Sequence, residues 1–122
     1  MESTDTVASI LTLTAAGTGT FNGTPQLNPW GNGVNIGINT TIDAAGSYLI
    51  NLQGCDLVSG IYYTIASTPA IVAAGFSLLT VYPGIGTTPA TSVNATLPRT
   101  WRVQAVVTTG PITATVGASV IL

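Results

Sequence analysis

The sequence predicts an all-β protein, an antiparallel two-layer β-sandwich or jelly-roll-like fold of about seven or eight strands. Val, Ile and Thr account for 43 of the 122 residues, and these β-branched side chains favour extended strands. The 14 Gly and 7 Pro separate short stretches in which apolar and polar residues alternate. No stretch places apolar residues at helical spacing between capping residues, so no helix is predicted.

The N-terminal half contains three predicted strands. Residues 7–14 form the first strand and residues 34–42 the second, the clearest in the chain. Its two faces alternate strictly, one carrying Val34, Ile36, Ile38, Thr40 and Ile42 and the other Asn35, Gly37, Asn39 and Thr41. Residues 47–53 follow after a short turn, with Tyr48, Ile50 and Leu52 directed inward. The short connection predicts that these last two strands pair as a hairpin.

The C-terminal half contains four more predicted strands. Residues 61–66 and 75–82 are rich in β-branched and aromatic side chains. In residues 101–107 one face carries Trp101, Val103, Ala105 and Val107, and in residues 112–120 one face carries Ile112, Ala114, Val116, Ala118 and Val120. The turn Thr108-Thr109-Gly110-Pro111 between them predicts a second hairpin.

The chain is expected to form a single domain over residues 1–122, with two long stretches that lack a clear strand pattern. The first covers about residues 15–33, and the second is a Pro-rich arm at residues 83–98. Structureless loops of this length are uncommon in compact domains and often carry function. Each stretch is either an extended arm stiffened by Pro or contains a short strand.

Charge is scarce, and this excludes several classes of function. Two Arg, four acidic residues, no Lys and no His give 5% charged residues and a net charge of −2. Two basic side chains are too few to bind a row of nucleic-acid phosphates. Catalysis by His or by a Lys Schiff base is impossible, and a single Cys supports no Cys or His metal site. We therefore expect no enzyme activity, no cofactor and no metal.

Isolated motifs are explained more simply by structure than by chemistry. Asp43 and Asp56 occupy turn positions, where Asp is common because its side chain bonds the local backbone. Gly84-Ile85-Gly86 lacks the Lys and the helix of a phosphate-binding loop. Cys55 has no His partner and is expected to be a small buried apolar residue.

A surface so poor in charge suits burial against another protein. Trp30 lies in a loop beside Pro29 and is a candidate contact, whereas Trp101 is expected in the core. Arg99 and Arg102 are expected to pair with acidic groups of this chain or of a neighbour, and Arg is common at the centre of interfaces. The candidate interface residues are Trp30, Pro83, Ile85, Pro89, Arg99 and Arg102.

Nothing in the chain has the pattern of a signal peptide or a membrane span. The N-terminus is acidic, the apolar run that follows it is short, and no apolar stretch reaches the roughly 18 to 20 residues of a membrane helix. We therefore expect synthesis in a cytoplasm and no membrane partner.

From about residue 33 onward, the chain resembles small β-sandwich virion proteins encoded among the head genes of tailed bacteriophages. The stretches concerned are Leu52-Gln53-Gly54, Asp56, Ser59-Gly60, Tyr62-Tyr63-Thr64-Ile65, Leu79-Thr80-Val81-Tyr82-Pro83-Gly84, Leu97-Pro98-Arg99-Thr100-Trp101-Arg102-Val103 and Val116-Gly117-Ala118-Ser119. Several such proteins are capsid decoration, or cement, proteins. The resemblance implies a structural protein on the capsid exterior, made in the host cytoplasm, and no catalytic residue.

The expected partners are therefore the major capsid protein and further copies of this chain, a trimer being compatible with the three-fold positions of capsid lattices. Two alternatives remain open. The first alternative is a component of the phage tail or head–tail connector. The second is a carbohydrate-binding or adhesin module whose aromatic side chains stack on sugars.

Overall fold

The described part of the chain is all-β, as predicted. A computed structural model describes residues 8–15, 17–27, 32–43, 46–83, 92–93, 95 and 97–121. These residues form ten strands in two packed sheets and no helix, so none of them belongs to a helix that could cross a membrane. The strands are β1 (Ala8–Ala15), β2 (Gly19–Asn22), β3 (Gln26–Leu27), β4 (Gly33–Asp43), β5 (Ser47–Cys55), β6 (Tyr62–Ser67), β7 (Gly75–Val81), β8 (Ser92–Val93), β9 (Thr100–Thr109) and β10 (Ile112–Ile121).

The two sheets have five strands each. Sheet 1 has the order β1-β10-β4-β7-β8. Sheet 2 has the order β2-β9-β5-β6, and the short strand β3 also pairs with β9. Neighbouring strands are antiparallel except β7 and β8, which run parallel. The sandwich therefore places consecutive strands of the chain in alternate sheets over much of its length.

The predicted alternation of buried and exposed side chains is confirmed along the long strands. The buried faces carry Leu11, Leu13, Val34, Ile36, Ile38, Tyr48, Ile50, Leu52, Leu79, Val81, Trp101, Val103, Ala105, Val107, Ile112, Ala114 and Val116, which meet in one core between the sheets. Trp101 is thus a core residue, as predicted. Burial of these apolar side chains is the main favourable term in folding.

Both predicted hairpins are wrong. β4 pairs with β10 and β7 in sheet 1, whereas β5 pairs with β9 and β6 in sheet 2. In the same way, β9 lies in sheet 2 and β10 in sheet 1. The alternation identifies the buried face of a strand but not its neighbour, and the apolar faces of these consecutive strands meet across the core instead of side by side.

The two stretches without a clear strand pattern contain short strands. β2 and β3 lie within residues 15–33, and β8 lies within residues 83–98. The end of the second stretch is anchored: Leu97 is buried in the core, and its N–H donates to the carbonyl of Asn32 over 2.9 Å. These short strands bring the described total to ten, above the predicted seven or eight.

Candidate functional site

The loop Asp56–Ile61, which joins β5 to β6, is held by hydrogen bonds around Asp56. The Asp56 N–H donates to the carbonyl of Ile61 over 2.8 Å, and the Asp56 carbonyl accepts from the Gly60 N–H over 2.7 Å. Its carboxylate accepts from the Ser59 hydroxyl over 2.7 Å and from the Val58 N–H over 3.2 Å. Gly60 adopts φ +75°, a conformation that favours Gly. These hydrogen bonds therefore fix the backbone of this exposed loop.

The Asp56 carboxylate is more acidic than an ordinary aspartate. The hydrogen bond from the Ser59 hydroxyl, followed by that from the Val58 N–H, lowers its pKa below the usual 3.8. Hydrogen bonds to a carboxylate favour its charged form. Asp56 therefore has the structural role in a turn that the sequence predicts.

The tip of this loop is apolar although it faces solvent. Leu57, Val58 and Ile61 are 66%, 97% and 65% exposed, and the ring of Tyr63 on the adjoining strand is also exposed. Turns are normally polar, and contiguous exposed apolar groups mark interaction sites more often than single ones do. A loop that presents such groups on a fixed backbone is suited to binding another surface.

Two arginines, the only basic residues of the chain, lie at the end of sheet 2 that carries this loop, because β9 begins beside the end of β5. The guanidinium of Arg102 lies 3.7 Å from the centroid of the Tyr62 ring, and its Nε donates to Oε1 of Gln53 over 2.9 Å. Arg102 is thus held within this chain by a cation–π contact and an amide. The expected acidic partner, on this chain or on a neighbour, stays a prediction. Arg99 is exposed. We call Asp56–Ile61 with Tyr62, Tyr63, Arg99 and Arg102 the loop end.

The loop end is supported by close packing of side chains on the β5 backbone at Gly54. A Cβ at Gly54 would lie 2.6 Å from Cγ of Pro98 and 2.9 Å from the ring of Tyr63. Gly54 itself pairs with Trp101 of β9. The absence of a side chain at Gly54 therefore lets Pro98 and Tyr63 pack directly on the strand.

The structure brings part of the predicted interface set to this end of the sandwich. Arg99 and Arg102 belong to the loop end, and the half-buried Pro83 follows β7 at the same end. Trp30, Ile85 and Pro89 lie outside the described residues. Sequence reasoning missed Leu57, Val58 and Ile61. The available signal was an apolar pair, Leu57-Val58, placed between the turn residues Asp56 and Ser59-Gly60.

The described residues offer little for chemistry or metal binding. Among them, no three His, Cys, Asp or Glu side chains are grouped so that they could hold a metal ion. Cys55 is half-buried instead of buried, because it ends β5, and its thiol contacts the carbonyl of Asp56 at 3.7 Å. The side chain of Asp43 lies outside the described residues.

The outer face of sheet 2 is covered by polar side chains that bond to one another. Gln104 donates to Asn22 over 3.0 Å and accepts from Asn51 over 3.2 Å. Gln53 donates to Gln104 and to Thr64, each over 3.3 Å. We call Asn22, Gln104, Asn51, Gln53 and Thr64 the amide network. Its hydrogen bonds link four strands, so the amides on this face are bonded to one another.

Comparison with protein-family models, with curated proteins and with solved structures finds no match for this chain. Among the described residues, the loop end is the surface on which a functional proposal can be based, because it presents exposed apolar side chains on a hydrogen-bonded loop.

Proposed function

We propose that the chain is a structural protein of a tailed-phage virion, a capsid decoration protein that docks on the exterior of the assembled capsid through its loop end. The observation that carries this proposal is the apolar tip of the loop Asp56–Ile61 on a backbone fixed by Asp56. The family resemblance supplies the identity of the partner, the lattice of the major capsid protein.

The loop end has the composition of an interface centre. It combines the exposed apolar side chains of the loop with Tyr62, Tyr63 and two Arg, and Tyr and Arg are enriched among residues that dominate binding energy. Since hydrogen bonds already fix the loop backbone, docking orders few degrees of freedom, and this lowers the entropic cost of association.

A comparison of the free energy of side-chain burial with the cost of association favours many weak contacts over one strong contact. Full burial of a Leu, Val or Ile side chain contributes about 1.5–3 kcal/mol, whereas association costs about 4–15 kcal/mol in lost freedom. Three such residues therefore give one copy a modest affinity. Repetition over a lattice, with copies that are joined to one another, raises the overall affinity. The mechanical result is a set of clamps that hold neighbouring capsid subunits against internal pressure.

The direct test is co-sedimentation of the purified chain with expanded capsids of the phage that encodes it, with a count of bound copies per particle. Saturation at hundreds of copies, in fixed ratio to the major capsid protein, is the expected result. Free capsid subunits should not bind.

A charge at the tip tests the docking surface. Val58→Asp places a carboxylate on a side chain that is 97% exposed, so folding should be unaffected, while burial of the unpaired charge in the interface should abolish capsid binding. Thr109→Asp is the matched control, because Thr109 is exposed at the opposite end of the sandwich. It adds the same charge and should leave binding unchanged.

Three results would overturn the proposal, either as a whole or in its docking surface. Binding of only a few copies per virion would point to the tail or head–tail connector. No binding to capsids, together with a sugar-dependent change in Trp fluorescence, would point to a carbohydrate-binding module. Unchanged capsid binding by the Val58→Asp variant would show that the loop end is not the docking surface.

A further inference from the structure

The outer face of sheet 1 carries a ridge of two large apolar side chains. Phe76 and Leu78 alternate outward along β7 and are 69% and 46% exposed. Their neighbours on β4 are small or polar, because Asn39 pairs with Phe76 and Gly37 pairs with Leu78. The ridge therefore stands above the rest of the face.

A shallow trough runs beside this ridge. Gly37 of β4 pairs with Gly117 of β10, and both line a hollow of about 370 Å³ whose wall includes Phe76 and Leu78. The Phe76 ring lies over Gly37, since a Cβ there would be 3.1 Å from the ring. On the other side of the ridge lies a groove of about 710 Å³, bounded by residues 68–73.

Among the described residues that line the trough and the groove, none has a charged side chain. The outer faces of the two sheets thus differ: sheet 2 is covered by the amide network, whereas sheet 1 exposes an apolar ridge between two uncharged hollows. Apolar surface of this kind is stabilised when another apolar surface covers it.

We propose that the outer face of sheet 1 binds a second copy of this chain, so that the protein is a homo-oligomer in solution. A neutral face meets its own copy without repulsion between like charges, and a partner with a strongly charged surface would lose its hydration without compensation. The face is also self-complementary in shape, because the ridge of one copy can pack its apolar side chains into the trough of the next. This inference does not depend on the capsid proposal.

The sheet face alone supplies only part of the area of a stable interface, so the contact must extend into the groove. β4 and β7 pair over seven residues, and four strands of that length have a projected area of about 450 Å² at ordinary strand spacings. A stable interface buries about 800 Å² on each partner. The trough, the ridge and the groove together therefore form the contact, and the ridge lies at its centre.

The experiment is to measure the mass of the full purified chain in solution by light scattering coupled to size-exclusion chromatography and by sedimentation velocity. The expected mass is a small multiple of the 12.3 kDa chain. Phe76→Asp should convert the oligomer to a 12.3 kDa monomer, because the substitution buries an unpaired charge, and the dissociation constant should rise by at least about 100-fold.

A second disrupting variant and a matched control complete the experiment. Thr115→Arg places a large charged side chain at an exposed position of the trough wall, far from the core, and should also give a folded monomer. Val58→Asp at the loop end is the matched control for Phe76→Asp and should remain oligomeric even if it no longer binds capsids. Circular dichroism and thermal unfolding verify that each variant is folded.

A parent chain that is monomeric at all concentrations tested would overturn the inference. So would Phe76→Asp and Thr115→Arg variants that fold and stay oligomeric. Dissociation caused by Val58→Asp alone would place the contact between copies at the loop end instead.

Discussion

The hydroxyls of Thr40 and Tyr48 form a hydrogen bond with each other inside the sandwich. Thr40 belongs to β4 of sheet 1 and Tyr48 to β5 of sheet 2, and the two side chains are 3% and 1% exposed. The bond therefore joins the two sheets in the core, where water does not compete for either hydroxyl. It is a polar contact among apolar neighbours, where loss of a hydrogen bond is costly.

Removal of one of these hydroxyls should cost more than removal of both. Tyr48→Phe leaves the Thr40 hydroxyl buried without this partner, and we expect a loss of about 1–3 kcal/mol in the free energy of unfolding. Addition of Thr40→Val should recover part of that loss, since both polar groups are then gone. A double-mutant cycle by urea denaturation measures the coupling. Strictly additive losses would contradict a direct contact.

Two glycines are required by close packing, and substitution by Ala should destabilise the fold at both. A Cβ at Gly33 would overlap the carbonyl oxygen of Val81, and a Cβ at Gly54 would lie 2.6 Å from Pro98. We expect losses of about 1–3 kcal/mol, larger for Gly33→Ala because its neighbour is backbone.

Gly17→Ala is the matched control for these two substitutions, because nothing lies within 4 Å of its Cβ position. Its midpoint of thermal unfolding should stay within a few degrees of that of the parent chain. Equal losses at Gly17 and Gly33 would contradict the packing explanation, since Gly→Ala by itself lowers the entropy of the unfolded chain and does not destabilise the fold.

The loop Asp56–Ile61 should loosen in acid. Hydrogen bonds from Ser59 and Val58 lower the pKa of Asp56 below 3.8, so the folded loop favours the carboxylate. The resulting stabilisation is complete above the ordinary pKa and disappears as the pH falls below it through the lowered value. NMR titration of the Val58 and Ser59 amides should give a midpoint below 3.8. In the Asp56→Asn variant this transition should be absent, and a midpoint above 3.8 would contradict the assignment.

Trp101 should contribute to stability through its volume and not through its indole N–H. The side chain is 2% exposed, and Nε1 has no hydrogen-bond acceptor among the described residues. Trp101→Ala should cost about 3–5 kcal/mol, whereas Trp101→Phe, which retains most of the ring, should cost substantially less. Denaturant unfolding of both variants measures the difference. An equal cost for both would indicate that the N–H is bonded after all.

Much of the fold could be predicted from local patterns. Alternation identified the buried faces of β4, β5, β9 and β10, because side chains on a strand point to opposite sides at every step. This alternation is the same whichever strand lies beside a given strand. The sequence therefore could not decide that β4 pairs with β10 and not with β5. That choice depends on how the two apolar faces cover each other across the core.

For the candidate surfaces too, the sequence predicts some features and the tertiary structure decides the others. Composition determined that this chain is an all-β protein with almost no charge, since β-branched residues favour strands and six charged residues cannot cover a surface. Only the tertiary structure placed Arg102 over Tyr62, exposed Val58 on a fixed loop, and set Phe76 and Leu78 beside Gly37 and Gly117. These neighbours are distant in sequence, and their contacts arise from strand register and sheet packing, which no local pattern encodes.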